Sequence, residues 1–206
     1  MEIIERKGSF MHGLINRAIQ AFVSKTYGED RWTEIMEDAG LGFTEFEAML
    51  IYPDDQSQKM LAAVERNLER PLPEILEDLG TFLVSNPEVE SLRRLLRFGG
   101  VNYSEFLHSL DDLPDRARLA VSDLHLPGLE LDEASPGQFR LRCQAGIPGY
   151  AQVMMGVLRA MADDYGSLVI LDHEGLGDEG TEEIAITVVE TEFAEGRAFE
   201  LGANLL

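Results

Sequence analysis

Apolar residues recur at helical spacing through the first half of the chain and alternate through much of the second. Over residues 11–28, Leu14, Ile15, Ala18, Ile19, Phe22 and Val23 share one face of a 3.6-residue turn, which predicts an amphipathic helix stopped by Gly28. A shorter helix follows over 31–39 and ends at Gly40. Residues 41–53 carry no clear period. Met60, Leu61, Val64 and Leu68 mark a third helix, with Asp54 or Asp55 as its cap. Pro71 and Pro73 punctuate the next connection, and Pro73 opens a helix through Glu74, Ile75, Leu76 and Leu79, since proline is tolerated in a first turn. Another helix spans 89–98 and stops at Gly99-Gly100.

Asn102 and Glu105 form a capping box for a helix that runs toward Pro114. An interior proline loses a backbone hydrogen bond and clashes with the preceding turn, at about 3 kcal/mol. It also pushes Leu113 away from helical geometry. The helix is therefore expected to break near 112–113 and to restart with Pro114 in a first turn. After Pro127-Gly128 the pattern changes. Residues 138–144 alternate as a strand, 151–162 form a helix rich in Val, Met and Leu, and 168–171 and 184–189 read as strands. The fold class is α+β, with a helical first part and a mixed second part.

Composition narrows the function. The 206 residues carry 45% apolar side chains, enough for a core, and no apolar run approaches the roughly 20 residues that span a bilayer. The start, Met1 to Lys7, lacks the apolar core of a signal peptide, so a cytoplasmic location is expected. Against 38 acidic residues stand 17 basic ones, a net charge of −21. Such a surface repels phosphate backbones and anionic membranes, so neither nucleic acid nor membrane is an expected partner. The single cysteine, Cys143, cannot close an internal disulfide and is expected to be a buried structural thiol.

Candidate chemistry is sparse. Residues 175–180 match G-x-G-x-x-G, but the strand-like 184–189 follows where a dinucleotide site needs a helix. Asp178, Glu179, Glu182 and Glu183 would repel phosphate there, so a hairpin loop is the better reading. Asp172, His173 and Glu174 with Asp178 and Glu179 could be drawn as a metal cluster, but the glycines between them leave the ligands unoriented. Met154, Met155 and Met161 fit a core face. No Ser-His-acid or Cys-His spacing points to catalysis among the four histidines. No enzyme activity is therefore expected.

Residues 103–114 carry a more specific likeness. Phe106, Leu107, Leu110, Asp111 and Leu113 follow the pattern FL-x-x-(L/M)-D-x-(L/V/I)-H of the iron-ligand helix in the heme-nitric oxide/oxygen-binding (H-NOX) family, with Pro114 at the ligand position. Met11-His12-Gly13 resembles the family's M-x-G start, and Tyr27-Gly28 with Trp32 its YG-x-x-x-W. Tyr52 with Asp54 resembles its Y-x-D, Glu74 to Phe82 its EILQxFGxxF, Pro127 its proline beneath the heme, and Gly149 and Gly156 its later glycines. The resemblance covers about 11–190. It implies an H-NOX-like fold in a single domain: a 1–10 extension, a helical subdomain over about 11–70 and an α/β subdomain with an antiparallel sheet over about 71–206.

The resemblance also implies heme b, held through a proximal histidine and a Tyr-x-Ser-x-Arg propionate clamp. Aligned back from Gly156, the clamp positions hold Cys143, Ala145 and Ile147; sliding the frame gives Phe139, Leu141 and Cys143. Neither set offers the charge that pairs with carboxylates. With ligand and clamp both absent, no cofactor is expected. Among replacement ligands, His12 could border a pocket, against a capping or surface role. Cys143 could meet a porphyrin edge, while His108, His125 and His173 are expected at the surface. The space a porphyrin would fill is expected to be packed with side chains or occupied by another molecule.

The function implied is a sensor or regulatory protein without ordinary heme ligation. It resembles the heme-free H-NOX-like domain of the soluble guanylate cyclase α subunit. No output domain is in view, so the signal is expected to act in trans on a kinase, cyclase or diguanylate enzyme, or through self-association. The alternatives are a tetrapyrrole-binding gas sensor with non-standard ligation and a carrier of another apolar ligand.

Overall fold

A computed structural model of the chain describes residues 10–177 and 180–199. These fall into two compact units that divide between Ile75 and Leu76. The first unit begins with β1 (Phe10–His12), α1 (Gly13–Tyr27) and α2 (Glu29–Ala39). It continues with β2 (Ile51–Pro53), α3 (Asp54–Leu68) and the start of α4 (Leu72–Ser85). β1 and β2 pair antiparallel, with Met11 opposite Tyr52.

Gly13 explains the M-x-G start physically. Its N–H donates to the Leu50 carbonyl at 2.7 Å, and a Cβ there would overlap the Glu47 carbonyl oxygen. Only glycine lets the first turn of α1 press this closely on the 47–50 backbone. Gly28, at φ 99°, breaks α1 from α2, and Gly40, at φ 65°, closes α2 in the left-handed region. The core of this unit gathers Ile19, Phe22, Val23, Trp32, Ile35, Met36, Phe46, Met60 and Val64. Trp32 donates its indole N–H to the Thr44 carbonyl at 2.8 Å, so its one polar atom is satisfied. Two details differ from expectation: Pro53 stands at the α3 cap with Asp54 and Asp55 inside the first turn, and α4 starts one residue before Pro73. Both acids still face the positive end of the helix dipole.

The second unit continues α4 and adds a 3-10 turn (Pro87–Val89), α5 (Glu90–Arg97), α6 (Tyr103–His108) and α7 (Leu113–Ala120). It then forms β3 (Leu129–Ser135), β4 (Gln138–Cys143), α8 (Tyr150–Tyr165), β5 (Leu168–Leu176) and β6 (Glu182–Glu190). The four strands make one antiparallel sheet in the order β3-β4-β6-β5. The fold is the α+β class expected. β1 and β3 were not expected from the pattern, and β2 lies in the stretch without a clear period. β1 and β2 are three residues each, and β3 carries Glu130, Asp132 and Glu133, which suits an exposed edge better than an alternating core strand.

Inward residues of the sheet (Phe139, Leu141, Cys143, Ile184, Ile186) join Met154, Leu158 and Met161 of α8 and Tyr103, Phe106, Leu107 and Leu110 in one buried core. Alternation on β4 is what separates this face from Arg140 and Arg142 on the other. α4 and α8 meet through glycines: a Cβ on Gly80 would overlap the Val153 carbonyl, and one on Gly156 the Glu77 carbonyl. Among the described residues, no helix is long and apolar enough to cross a membrane.

Candidate functional site

The Asn102 side chain accepts from the Glu105 N–H at 2.9 Å, while the Glu105 carboxylate accepts from the Val101 N–H at 3.0 Å. The Asn102 cap forms as expected, but the return bond of Glu105 goes to the N–H of Val101, one residue before the cap, rather than to that of Asn102. The helix it starts ends at His108, however, four residues short of the expected break. Ser109 ends it: its N–H reaches the Glu105 and Phe106 carbonyls, and its hydroxyl donates to the Phe106 carbonyl at 2.7 Å. Two tight turns follow, closed by Leu110 N–H to Leu107 O and Leu113 N–H to Leu110 O, both 3.0 Å. Pro114 then sits in the first turn of α7, where its missing N–H costs no helical bond.

Side chains fix this break on two sides. The Asp111 carboxylate accepts from the Leu131 N–H of β3 at 2.9 Å. The Arg116 guanidinium donates to the Leu95 carbonyl of α5 at 3.2 Å and to the Ser109 carbonyl at 2.8 Å. Asp111 was noted only as part of the FL-x-x-(L/M)-D pattern, and Arg116 was not singled out in the sequence. Arg116 is half-buried, and its desolvation lowers its pKa, with Asp112 opposing.

Pro114 is half-buried beside the buried Leu113. Its nitrogen is a tertiary amide with no lone pair for iron. Cys143 is buried at the end of β4, and desolvation, aided by Glu182 across the strand, pushes its thiol up to about 12. It is therefore a neutral thiol at physiological pH, whereas a metal ligand is the thiolate. Ala145 is exposed, and Ile147 packs against the core. Phe139 and Leu141, the shifted frame, lie in the same core. Pro127 is buried and packs beside Gly146, so the structure brings it to the 143–147 stretch. Tyr150, just beyond, is buried with a hydroxyl that meets no protein partner, and desolvation raises its pKa. This donor set supplies no axial lone pair from Pro114 and no cation at 143, 145 or 147. It does not fit a heme held by a proximal histidine and an arginine clamp.

The histidines serve local structure. His12 caps α1: its Nδ1 accepts from the Leu14 N–H at 3.1 Å, and the ring is buried. An accepting Nδ1 places the neutral ring's proton on Nε2, so Nε2 could bind a metal only by giving up that cap. His108 is exposed, 3.4 Å from Glu133 and edge-on to Phe139. His125 lies at the surface against the Asp123 carbonyl. His173 Nε2 lies 2.8 Å from the Glu182 carboxylate, which also takes the Gln152 amide at 3.0 Å.

Neighbours on β5 point to opposite faces, so His173 does not converge with Asp172 and Glu174. Glu174 pairs instead with Arg140 at 3.2 Å. Asp178 and Glu179 lie outside the described residues. Among those described, no group of three acidic, histidine or cysteine side chains could hold a metal. The G-x-G-x-x-G stretch joins β5 to β6, with Gly177 N–H on the Thr181 carbonyl at 2.7 Å, as a hairpin connection rather than a helix start.

Comparison with known proteins agrees with this architecture. The family model described as Haem-NO-binding (HNOB) matches residues 12–173. Among curated proteins, soluble guanylate cyclase gcy-32 of Caenorhabditis elegans is 27% identical over 155 residues, 74% of this chain and 23% of that protein. Soluble guanylate cyclase gcy-35 of the same organism is 29% identical over 156 residues, 74% of this chain and 22% of that protein. The matched stretch thus spans under a quarter of these relatives. The Fe(II) unliganded H-NOX protein from K. algicida superposes with a TM-score of 0.76 at 15% identity, covering 90% of this chain and all of that one. An H-NOX protein from S. oneidensis in the Fe(II)NO state gives 0.69 at 16%, covering 86% and 99%. At these identities the superpositions carry the fold, and the family model carries the kinship. The chain belongs to the Haem-NO-binding (H-NOX) family.

Proposed function

We propose that this chain is a non-enzymatic sensor or regulatory module of the H-NOX family that works without ordinary heme ligation and passes its signal in trans to a signalling protein. The observation that carries the reading is Pro114 in the first turn of α7, where the family places its iron ligand. Cys143, Ala145 and Ile147 support it, because all three clamp charges and hydroxyls are missing together. The packing of unit 2 points the same way: Phe106, Leu110 and Leu113 are buried with Met154, Met155 and Tyr150 in one core. The guanylate cyclase relatives make a cyclase the first partner to test, ahead of a kinase or diguanylate enzyme.

The test is affinity capture of the chain from its native host, followed by heme extraction and identification of bound proteins. The reading expects well under one heme per chain together with a signalling enzyme. One heme per chain would overturn it. A second reading, a tetrapyrrole sensor with non-standard ligation, is favoured by the buried imidazole of His12. It requires the α1 cap to open, so heme binding would fall away in His12→Ala.

A further inference from the structure

The described chain beyond β6 does not leave the second unit. Thr191 accepts from the Ser167 hydroxyl at 3.0 Å, Ala194 N–H donates to the Gly166 carbonyl at 3.0 Å, and Arg197 N–H donates to the Asp164 carbonyl at 2.8 Å. Two glycines permit this approach. A Cβ on Gly166 would overlap the Ala194 carbonyl, and one on Gly196 would come within 2.9 Å of Tyr165 and Asp164 backbone atoms. The segment thus lies flat across the C-terminal end of α8.

Two arginines of α5 hold its far end. Arg93 Nε binds the Asp164 carboxylate at 2.8 Å, and its Nη2 donates to the Ala198 carbonyl at 3.1 Å. Arg97 lies 4.0 Å over the Tyr165 ring and 5.0 Å over the Phe199 ring. Arg93 and Asp164 are 5% and 3% exposed, so this is an interior cluster and not a surface pair. Between the two arginines sits Leu95. Backbone donors after α5 go to the carbonyls of Arg94, Leu96 and Arg97, and Arg116 of α7 serves the Leu95 carbonyl. The same guanidinium holds Ser109, in the break before α7. The helix carrying Pro114 therefore grips the very turn that aims Arg93 and Arg97.

We propose that residues 194–199 form a latch on α5 and α8, and that α7 sets its hold through Arg116. A displacement of α7 withdraws the Arg116 fork, frees the last turn of α5, and loosens the arginine grip on Ala198 and Phe199. The coupling runs through contiguous bonded groups with no gap between them. It stands whether or not the protein binds heme, because no link in it touches a cofactor.

Amide hydrogen exchange on the full chain tests it at Ala194 and Arg197, whose N–H groups close the latch. A bond to a charged group is worth roughly a ten- to hundredfold change in a local opening equilibrium. Arg93→Gln breaks the latch directly and should speed both amides by about that factor. Arg116→Gln, which removes no group touching the segment, should also speed them by about tenfold while Leu141 and Ile184 in the sheet stay protected. Wild-type rates at Ala194 and Arg197 in Arg116→Gln would overturn the coupling, and wild-type rates in Arg93→Gln would overturn the latch itself. If Arg116→Gln also exposes the sheet, Arg116→Lys decides. It keeps the charge and loses the fork, so faster latch amides with a protected sheet support the proposal and unchanged ones refute it.

Discussion

Asp164→Ala is expected to be among the most damaging single substitutions in the second unit. Its carboxylate stands 2.8 Å from Arg93 Nε and 3.5 Å from Arg97 Nη1, and the three side chains are 3%, 5% and 12% exposed. Removing the anion leaves the buried Arg97 without its carboxylate and Arg93 with only the more exposed Glu90 at 3.4 Å, which costs about 3–5 kcal/mol. The control is Asp115→Ala in α7. Its pair with Arg118 has the same 2.8 Å separation, but the side chains are 76% and 54% exposed. Water screens that pair, and its loss costs about 0–1 kcal/mol. Distance is equal and burial differs, so burial decides. Urea unfolding followed by circular dichroism reads the difference. With a slope of about 2 kcal/mol per molar urea, the midpoint should fall by about 1.5–2.5 M for Asp164→Ala and by less than about 0.5 M for Asp115→Ala. Equal shifts for the two would refute the reasoning. Should Asp164→Ala not accumulate folded, Asp164→Asn keeps an acceptor for Arg93 while removing the charge, and it should still lose more than Asp115→Ala.

Gly156→Ala drives a methyl into the Glu77 carbonyl and forces α4 and α8 apart, at about 1–3 kcal/mol; an unchanged urea midpoint would contradict this crossing. Cys143 should resist thiol reagents at pH 8 in the folded protein and react only on unfolding. Its folded pKa of about 12 lies above the unfolded value near 8.5. The folded state therefore holds the extra proton between those values, and stability is full below about 8.5 and falls as pH rises. At pH 10 wild type should have lost about 2 kcal/mol more than Cys143→Ala relative to pH 7, and equal losses would place the thiol in solvent.

Local signals were legible in the sequence, and long-range ones were not. Gly28 and Gly40 announced helix ends because a missing Cβ acts within its own turn, whereas Gly13 stood out only through the M-x-G resemblance, its close contact being with the 47–50 backbone far along the chain. Pro114 announced a break through its own ring, but the position was set by the Ser109 hydroxyl and by the Arg116 side chain reaching back from α7 to the Ser109 carbonyl. β3 escaped because it alternates only over Leu129 to Asp132 and turns exposed and polar from Glu133 on, too short a run to mark a strand. Arg93 and Asp164 are 71 residues apart, and no periodicity pairs them. A signal was present: each lies three residues from a buried residue of its own helix, Leu96 and Met161, so each charge occupies an apolar phase. At the candidate site, the losses at 114, 143, 145 and 147 were readable as letters. A buried Cys143 and a capping role for His12 were among the expectations; the raised pKa of the thiol beside Glu182 and the use of Nδ1 for the cap needed the fold.

The central claim is that the family's fold persists here without the family's heme chemistry. Titrating the purified chain with hemin, and recording absorption before and after reduction and nitric oxide, tests it most directly. The account predicts weak, non-saturating absorption with no stoichiometric Soret band and no defined shift on nitric oxide. A sharp Soret band saturating at one heme per chain, and moved by nitric oxide, would contradict it.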